Sequence, residues 1–307
     1  MPLCAGFDLG GTQLKYGLVD EKGNIVFKER ASSPAAIEDL LQLLKSLWRK
    51  LKAEAKAGIE AVGFAFPGIF SLEEQRIYQS PNYASLDNFD LIPAFSRFIE
   101  VPFWVNNDAN MAAFGEYKAG KGRGVHSLVL LTIGTGVGSG IILEGKLWQG
   151  KCGFGGELGH ITVNHEGEKC NCGGKGCLET EVSAPKIVRN YCELRKKRVD
   201  IPAEEVYQRA LRGEEEAIKA FSRAGYFLGI GLAAVINFLN PEKILLGGAV
   251  MNAGDYLFTP ALEEARRRSY RASFECSTIE RAGLGNEAGI IGAALWARGQ
   301  ASKTSKI

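Results

Sequence analysis

The sequence predicts an α/β protein of two lobes facing a cleft, and three observations carry that reading. Short apolar runs end repeatedly in glycine or polar residues and alternate with segments of helical periodicity. Two glycine-rich turns, Gly10-Gly11-Thr12 and Gly134-Thr135-Gly136, each sit inside a strand, turn, strand unit, one per half of the chain, as a weak internal duplication would leave them. The 307 residues suffice for two domains of typical size.

Taken in order, Leu3 to Leu9 is an apolar strand, and Leu14 to Val19 pairs with Ile25 to Arg30 across Glu21-Lys22-Gly23-Asn24. Ser33 as N-cap and Pro34 in the first helical position would then open a helix. In it Ile37, Leu40, Leu41, Leu44, Leu47, Trp48 and Leu51 recur at helical spacing until Gly58. Ile59 to Phe66 runs into Pro67-Gly68, and Phe103 to Val105 runs into Asn106-Asn107-Asp108. Both place glycine or polar residues just past a strand, the edge at which open α/β sheets bind ligands. Ala109 to Tyr117 reads as a helix and Gly120 to Gly124 as a loop, so the boundary falls near Lys118. The lobes are then 1–117 and 118–289, with a C-terminal helix at 290–307 packing back on the first. Ser127 to Ile133 is a strand, Ala184 to Asn240 mostly helical, Lys243 to Leu246 a strand ending in Gly247-Gly248, and Asn286 to Ala297 a last amphipathic helix.

Composition narrows the function. With 37 Lys+Arg against 35 Asp+Glu the net charge is +2, so no bulk field draws the protein to nucleic acid or to an anionic membrane. Met1 to Gly11 lacks the basic and apolar segments of a targeting signal, and the apolar stretch Tyr226 to Leu239 is short and broken by glycine and Asn237. A cytoplasmic, soluble protein with a small-molecule site is expected. The basic runs Arg195 to Arg198 and Arg266 to Arg268 read as solvated helix faces.

The first turn has what a nucleotide phosphate requires: backbone N–H groups freed by Gly10 and Gly11, the Thr12 hydroxyl, and the Asp8 carboxylate to hold Mg²⁺, with Lys15 nearby. Gly134-Thr135-Gly136 repeats the hydroxyl between glycines, so two loops could hold one triphosphate. Either loop alone would serve equally as a tight hairpin. The Gly140 to Lys146 match to a P-loop has Leu147 where Ser or Thr is needed. Of the GxGxxA runs, that at Gly229 lies inside a helical pattern and that at Gly283 leaves too little chain for a βαβ unit with its acidic residue, so neither a P-loop enzyme nor a Rossmann dehydrogenase is expected.

Of seven cysteines, Cys170, Cys172 and Cys177 fall within eight residues, which points to metal before disulfides. With one imidazole they make a closed tetrahedral set for a structural Zn²⁺, and spacing leaves His160 and the nearer His165 both open as the fourth ligand. Such a site would fix Glu157, three residues before His160, and Glu179, two after Cys177, near one another, where they suit a polyhydroxylated ligand. Taken alone, Asp108 at a helix start reads first as an ordinary N-cap and only second as the base that accepts a proton from an acceptor hydroxyl in phosphoryl transfer. Beside two phosphate loops, it fits the base.

Taken together the motifs resemble the ROK family of sugar kinases and repressors, within the actin-like ATPase superfamily. The resemblance covers essentially the whole chain. It rests on DLGGT (Asp8 to Thr12), Pro67-Gly68, NNDAN (Asn106 to Asn110), IGTGVGSGI with GKLWQG (Ile133 to Gly150), GELGH (Gly156 to His160), CNCGGKGCLE (Cys170 to Glu179), LLGGAV (Leu245 to Val250) and EAGIIGAA (Glu287 to Ala294).

The resemblance implies a two-lobed actin-like ATPase, ribonuclease H-like fold with a central cleft. It further implies an ATP-dependent hexokinase, glucokinase first, acting on the sugar's 6-hydroxyl. Asp8, Gly10, Gly11, Thr12 and Lys15 would serve the ATP phosphates and Mg²⁺, with Gly134, Thr135 and Gly136 from the other lobe and Gly247 and Gly248 against the nucleoside. Asn107, Glu157, His160 and Glu179 would contact the sugar, Gly68 and Asn82 would close the pocket, and Asp108 would be the general base. The family's zinc ligands correspond to His160, Cys170, Cys172 and Cys177, which selects His160 over His165. A homodimer is a family expectation. With its first strand at Leu3 the chain has no room for the family repressors' DNA-binding domain, so no nucleic-acid partner is expected. Phe154-Gly155-Gly156 and Thr180-Glu181-Val182 depart from the commoner pattern beside the sugar residues. They leave another hexose or N-acetylhexosamine as an alternative substrate, and a sugar-responsive regulator as an alternative class.

Overall fold

The computed structural model describes residues 2–71, 74, 76–80 and 83–304. The chain runs β1 (Leu3–Leu9), β2 (Gln13–Val19), β3 (Ile25–Ser32), α1 (Ile37–Glu54), β4 (Ile59–Phe66), β5 (Ile69–Ser71), β6 (Arg76–Gln79), α2 (Leu91–Phe95), β7 (Phe103–Asn107) and α3 (Asp108–Ala119). It continues through β8 (Leu128–Ile133), β9 (Val137–Leu143), β10 (Lys146–Trp148), α4 (Leu178–Val182), α5 (Ala184–Arg195), α6 (Ala203–Leu211) and α7 (Glu215–Leu239). The last elements are β11 (Lys243–Gly247), α8 (Asp255–Arg268), α9 (Arg271–Cys276), β12 (Thr278–Arg281) and α10 (Ala288–Thr304). One compact unit comprises Met1–Val125, Gly140–Gly156 and Gly283–Ile307, the other His126–Ser139 and Glu157–Ala282.

The two principal sheets share one plan. Their orders are β3-β2-β1-β4-β7 and β10-β9-β8-β11-β12, each a run of three strands consecutive in the chain followed by two added strands. In the first unit β1, β4 and β7 are parallel, with Asp8 opposite Ala65 and Phe66 opposite Asn107. In the second β11 is parallel to both β8 and β12.

Strand alternation divides the first unit's core in two. Ala5, Phe7 and Leu9 of β1 and Val62, Phe64 and Phe66 of β4 join the buried face of α1, including Leu40, Leu44, Trp48 and Leu51. Phe7 stacks on Phe64 at 5.0 Å and Phe64 meets Phe95 at 4.5 Å. The opposite face is built of small residues. A Cβ on Gly63 would stand 1.8 Å from the Ala293 carbonyl oxygen and one on Gly6 2.2 Å from that of Ile290. The backbone of α10 therefore lies directly on the sheet, with Cys4, Ala61, Ile290, Ala294 and Ala297 packed beside it. A Cβ on Gly292 would stand 1.7 Å from the Met111 carbonyl, so α3 approaches equally closely. The last helix is thus not amphipathic, because it is wedged between a sheet and a helix. The fully buried Glu116 of α3 holds the chain leading into it, accepting from the backbone N–H of Gly283 and Leu284 at 2.8 and 2.6 Å.

Two local expectations are corrected. The first helix opens at Ile37 with Ala36 as its cap, not at Ser33-Pro34. The N–H of Ser33 is taken by the Thr12 carbonyl at 3.1 Å and its hydroxyl lies in hydrogen-bond contact with the Tyr83 hydroxyl at 2.5 Å, which ties this segment to the glycine-rich turn. The apolar stretch after Tyr226 is the end of a 25-residue helix, α7, long and apolar enough to cross a membrane. It packs on α8, α5, α4 and α6. Its glycines do not break it: a Cβ on Gly225 or Gly229 would lie 2.6 or 2.7 Å from the Leu257 or Ala261 carbonyl, so they admit the backbone of α8.

Candidate active site

In the first unit the parallel strands bring three sequence-predicted segments to one sheet edge. β1 ends at the Gly10 turn, β4 at Pro67-Gly68 and β7 at Asn107. The Gly10 N–H donates to the Gln13 carbonyl at 2.8 Å, closing the turn, and the Tyr83 hydroxyl donates to the Gly10 carbonyl at 2.8 Å. Thr12 is exposed. The Asp8 side chain is 13% exposed and accepts from Lys15 Nζ at 3.2 Å. Burial raises its pKa and the lysine offsets part of that. Gly289, in the first turn of α10, is seated against this carboxylate, with a notional Cβ 2.5 Å from Cγ. A carboxylate paired with a lysine beside an exposed hydroxyl and a glycine turn has the donor chemistry of a Mg²⁺-phosphate site.

At the neighbouring strand end, Asn107 and not Asp108 caps α3. Its Oδ1 accepts the Asn110 N–H at 3.0 Å, while its Nδ2 donates to the Gly68 carbonyl at 3.0 Å. Asp108 is the first residue of the helix, half-buried, with Oδ1 accepting the Ala109 N–H at 2.8 Å. The capping task is discharged one residue earlier. Gly68 adopts φ +120° and its Cβ position is 2.3 Å from the Gln79 carbonyl, so glycine is required for the turn to lie on β6. Asn82 lies outside the described residues.

In the second unit β8 and β11 end side by side, Gly247 opposite Thr132. Gly248, at φ +89°, packs so that a Cβ would stand 2.2 Å from the Ile133 carbonyl, immediately before the Gly134 turn. That turn is closed by the Gly134 N–H to the Gly136 carbonyl at 2.9 Å, with Thr135 exposed. The segment following Gly248 carries Ala253 and Gly254, which line a cavity of about 710 Å³ with Tyr207, Tyr256, Thr259 and Arg281.

The same unit holds the cysteine cluster. One donor atom each from His160, Cys170, Cys172 and Cys177 lies within 4.8 Å of the others. Cys170 Sγ stands 3.6 Å from His160 Nδ1, and the Cys172 and Cys177 sulfurs are 3.6 Å apart. Two thiolates on one tetrahedral zinc are roughly 3.8 Å apart at a Zn–S bond of about 2.3 Å, so the set fits Zn²⁺. Burial and the neighbouring thiols push Cys177 up to about 12, whereas the Gly174 N–H holds Cys172 below the usual thiol range. A divalent cation between the four donors would reverse the first effect. His165 is 90% exposed and pairs with Glu166 at 3.8 Å.

The cluster is coupled to both carboxylates. Cys177 is the N-cap residue of α4, whose second residue is Glu179. Glu157 precedes a single turn of 3-10 helix that ends at His160, and its carbonyl accepts the His160 N–H at 3.0 Å. Sequence reasoning missed what supports this loop. Glu168 holds the buried Lys186 at 2.6 Å and Arg189 at 2.8 Å, and buried Glu181 accepts from Asn164 Nδ2 at 2.9 Å. A charged residue beside a cysteine loop gives no signal in the sequence that it is turned inward.

The ROK family model matches residues 4–300. The glucokinase of Halalkalibacterium halodurans is 32% identical over 321 residues, spanning 98% of this chain and 96% of that protein. A ROK hexokinase structure from Thermus thermophilus superposes with a TM-score of 0.86 at 32% identity, covering 98% of this chain and 99% of the other. The structure of a ROK family glucokinase from Streptomyces griseus in complex with glucose and AMPPNP gives 0.84 at 29% identity, covering 97% and 99%.

Proposed function

We propose that this protein, which belongs to the ROK family, transfers the γ-phosphoryl group of ATP to the 6-hydroxyl of a hexose, with glucose the preferred acceptor. Its fold is the actin-like ATPase fold of that family. The observation that carries the reading is the meeting of Asp8, Gly68 and Asp108 at the ends of three parallel strands, β1, β4 and β7, with the cap of α3 made by Asn107. A protein that only bound sugar would have no need of a carboxylate placed as a base beside a phosphate loop.

Within the first unit, the N–H groups of Gly10 and Gly11, the Thr12 hydroxyl and Lys15 take the ATP phosphates. Asp8 would hold Mg²⁺, which when bound neutralises charge on the phosphates. Asn107 and the Gly68 turn orient the acceptor, and Asp108 accepts the proton of the 6-hydroxyl as its oxygen attacks the γ-phosphorus and the bond to the leaving ADP oxygen breaks. Within the second, Gly134, Thr135 and Gly136 meet phosphate, and Gly247 and Gly248 lie against the nucleoside. Glu157, His160 and Glu179 hydrogen-bond sugar hydroxyls. His160, Cys170, Cys172 and Cys177 would hold a structural Zn²⁺, which leaves the other ring nitrogen of His160 to donate to the sugar. The family resemblance supports a cytoplasmic homodimer.

The test is the regiochemistry of the product. Glucose and Mg·ATP should yield glucose phosphorylated at C6, by phosphorus–proton correlation spectroscopy, and Asp108→Asn should cut turnover by about 10²–10⁴-fold while glucose still binds. Phosphate at another carbon, or full turnover in Asp108→Asn, overturns the reading.

A further inference from the structure

Gln149, in the segment linking β10 to Gly150, bears a buried amide aimed at the strand end that carries Asp108. Gln149 and Asn106 are 8% and 1% exposed. The Gln149 Nε2 donates to Asn106 Oδ1 at 2.9 Å, and Asn106 Nδ2 faces Gln149 Oε1 at 3.5 Å. The same Asn106 Oδ1 accepts the backbone N–H of Asn107 at 2.8 Å and lies 3.4 Å from Asn110 Nδ2. An asparagine amide offers its oxygen and nitrogen in nearly the same shape, so a partner is needed to decide which way it faces. The backbone N–H of Asn107, which can only donate, makes that decision, and Gln149 holds the amide so set, its Nε2 sharing the Asn106 oxygen while its Oε1 faces Asn106 Nδ2.

The loop carrying Gln149 is itself braced. Its carbonyl accepts the Gly155 N–H at 2.9 Å, and a Cβ on Gly155 would stand 2.9 Å from both the Gly150 nitrogen and the Trp148 ring. Beside Gly155, the Phe154 ring meets Tyr78 at 5.2 Å, and Tyr78 adjoins Gln79, on whose carbonyl Gly68 rests. Two segments that flank Asn107, one through Asn106 and one through Gly68, are therefore joined at their far ends.

We propose that Gln149 is a positioning residue for phosphoryl transfer, acting through Asn106 to fix the direction in which Asn107 and Asp108 leave β7. The inference rests on the reading of Asp108 as the base. Gln149→Leu shortens the side chain by one bond and removes both polar partners, so the Asn106 amide keeps only its contacts with Asn107 and Asn110. Glucose-dependent kcat should fall about tenfold or more, as misplacing a reacting group by an ångström or less does. The KM for ATP and the zinc content should stay near those of the parent protein, and the thermal midpoint should fall only by the few degrees that a lost buried hydrogen bond costs. In an Asp108→Asn background, single-turnover measurements should show no further loss from Gln149→Leu, because a residue that acts through the carboxylate has nothing to act on once it is gone.

Losses that multiply in the double variant overturn the inference, as does an unchanged kcat in Gln149→Leu. If Gln149→Leu unfolds, Gln149→Met repeats the measurement with a more flexible chain, and loss of the fold in both makes Gln149 a structural residue only and ends the proposal. Full turnover in Asp108→Asn defeats the base assignment itself, whereas collapse there with an intact Gln149→Leu defeats the positioning role alone.

Discussion

The carboxylate of Glu179 accepts the backbone N–H of Val137 at 2.9 Å and lies where a Cβ on Gly136 would stand, 2.5 Å from Oε2. One side chain thus braces the Gly134 to Gly136 turn from α4, and in the proposed reaction it also holds a sugar hydroxyl. In that proposed reaction phosphate loop and sugar contact share the Glu179 carboxylate, so neither moves without the other.

Gly136→Ala follows from that relationship. Its backbone is not in the left-handed region, so the added methyl acts by crowding the carboxylate and not by straining φ. The KM values for glucose and for ATP should rise together, each about tenfold, the scale of a small misplacement. Initial rates over a matrix of both substrates check this, and a rise for ATP alone would remove Glu179 from the sugar site.

Zinc removal tests the second coupling. Cys172→Ser should lose the metal and raise the KM for glucose by about tenfold or more, a range typical of disturbed metal sites, because Cys177 starts the helix that carries Glu179. Metal content and glucose affinity measured on the same sample decide it. Unaltered affinity without zinc would separate the metal from the sugar site.

Glycines on α10 and its sheet should answer alanine in opposite ways. Gly63→Ala drives a methyl into the Ala293 carbonyl and should cost about 2 kcal/mol or more. Gly299→Ala, at an exposed helical position with nothing within 4 Å, should add about 1 kcal/mol from helix propensity. Chemical denaturation of the two variants measures both, and the same sign in each would contradict the packing described for this helix.

What was legible in the sequence was periodic or local. Ile59 to Phe66 gave β4 to the residue, and the leucines and Trp48 of α1 declared their buried face, because strand and helix periods are written along the chain. The caps were not legible. Ser33 and Pro34 have the composition of a helix start, but Tyr83, distant in sequence, claims the serine hydroxyl. In the run Asn106-Asn107-Asp108 three adjacent side chains could each cap α3, and it is Asn107, held by its Nδ2 to the Gly68 carbonyl, whose Oδ1 takes the Asn110 N–H. Glycines appeared as turn formers, yet Gly6, Gly63 and Gly292 serve contact between elements far apart in sequence. Gln149 and Glu116 gave no sign of being buried, since a polar residue in a loop or on a helix is ordinarily solvated.

The most direct measurement is ADP release by the purified, zinc-replete protein with Mg·ATP against a panel of hexoses and N-acetylhexosamines, with a sugar-free control. ADP release that depends on sugar, with glucose far ahead of mannose, fructose and the N-acetylated sugars, is the predicted result. Silence across the panel, with zinc bound and the fold intact, would contradict the account and leave a sugar-responsive protein without catalysis.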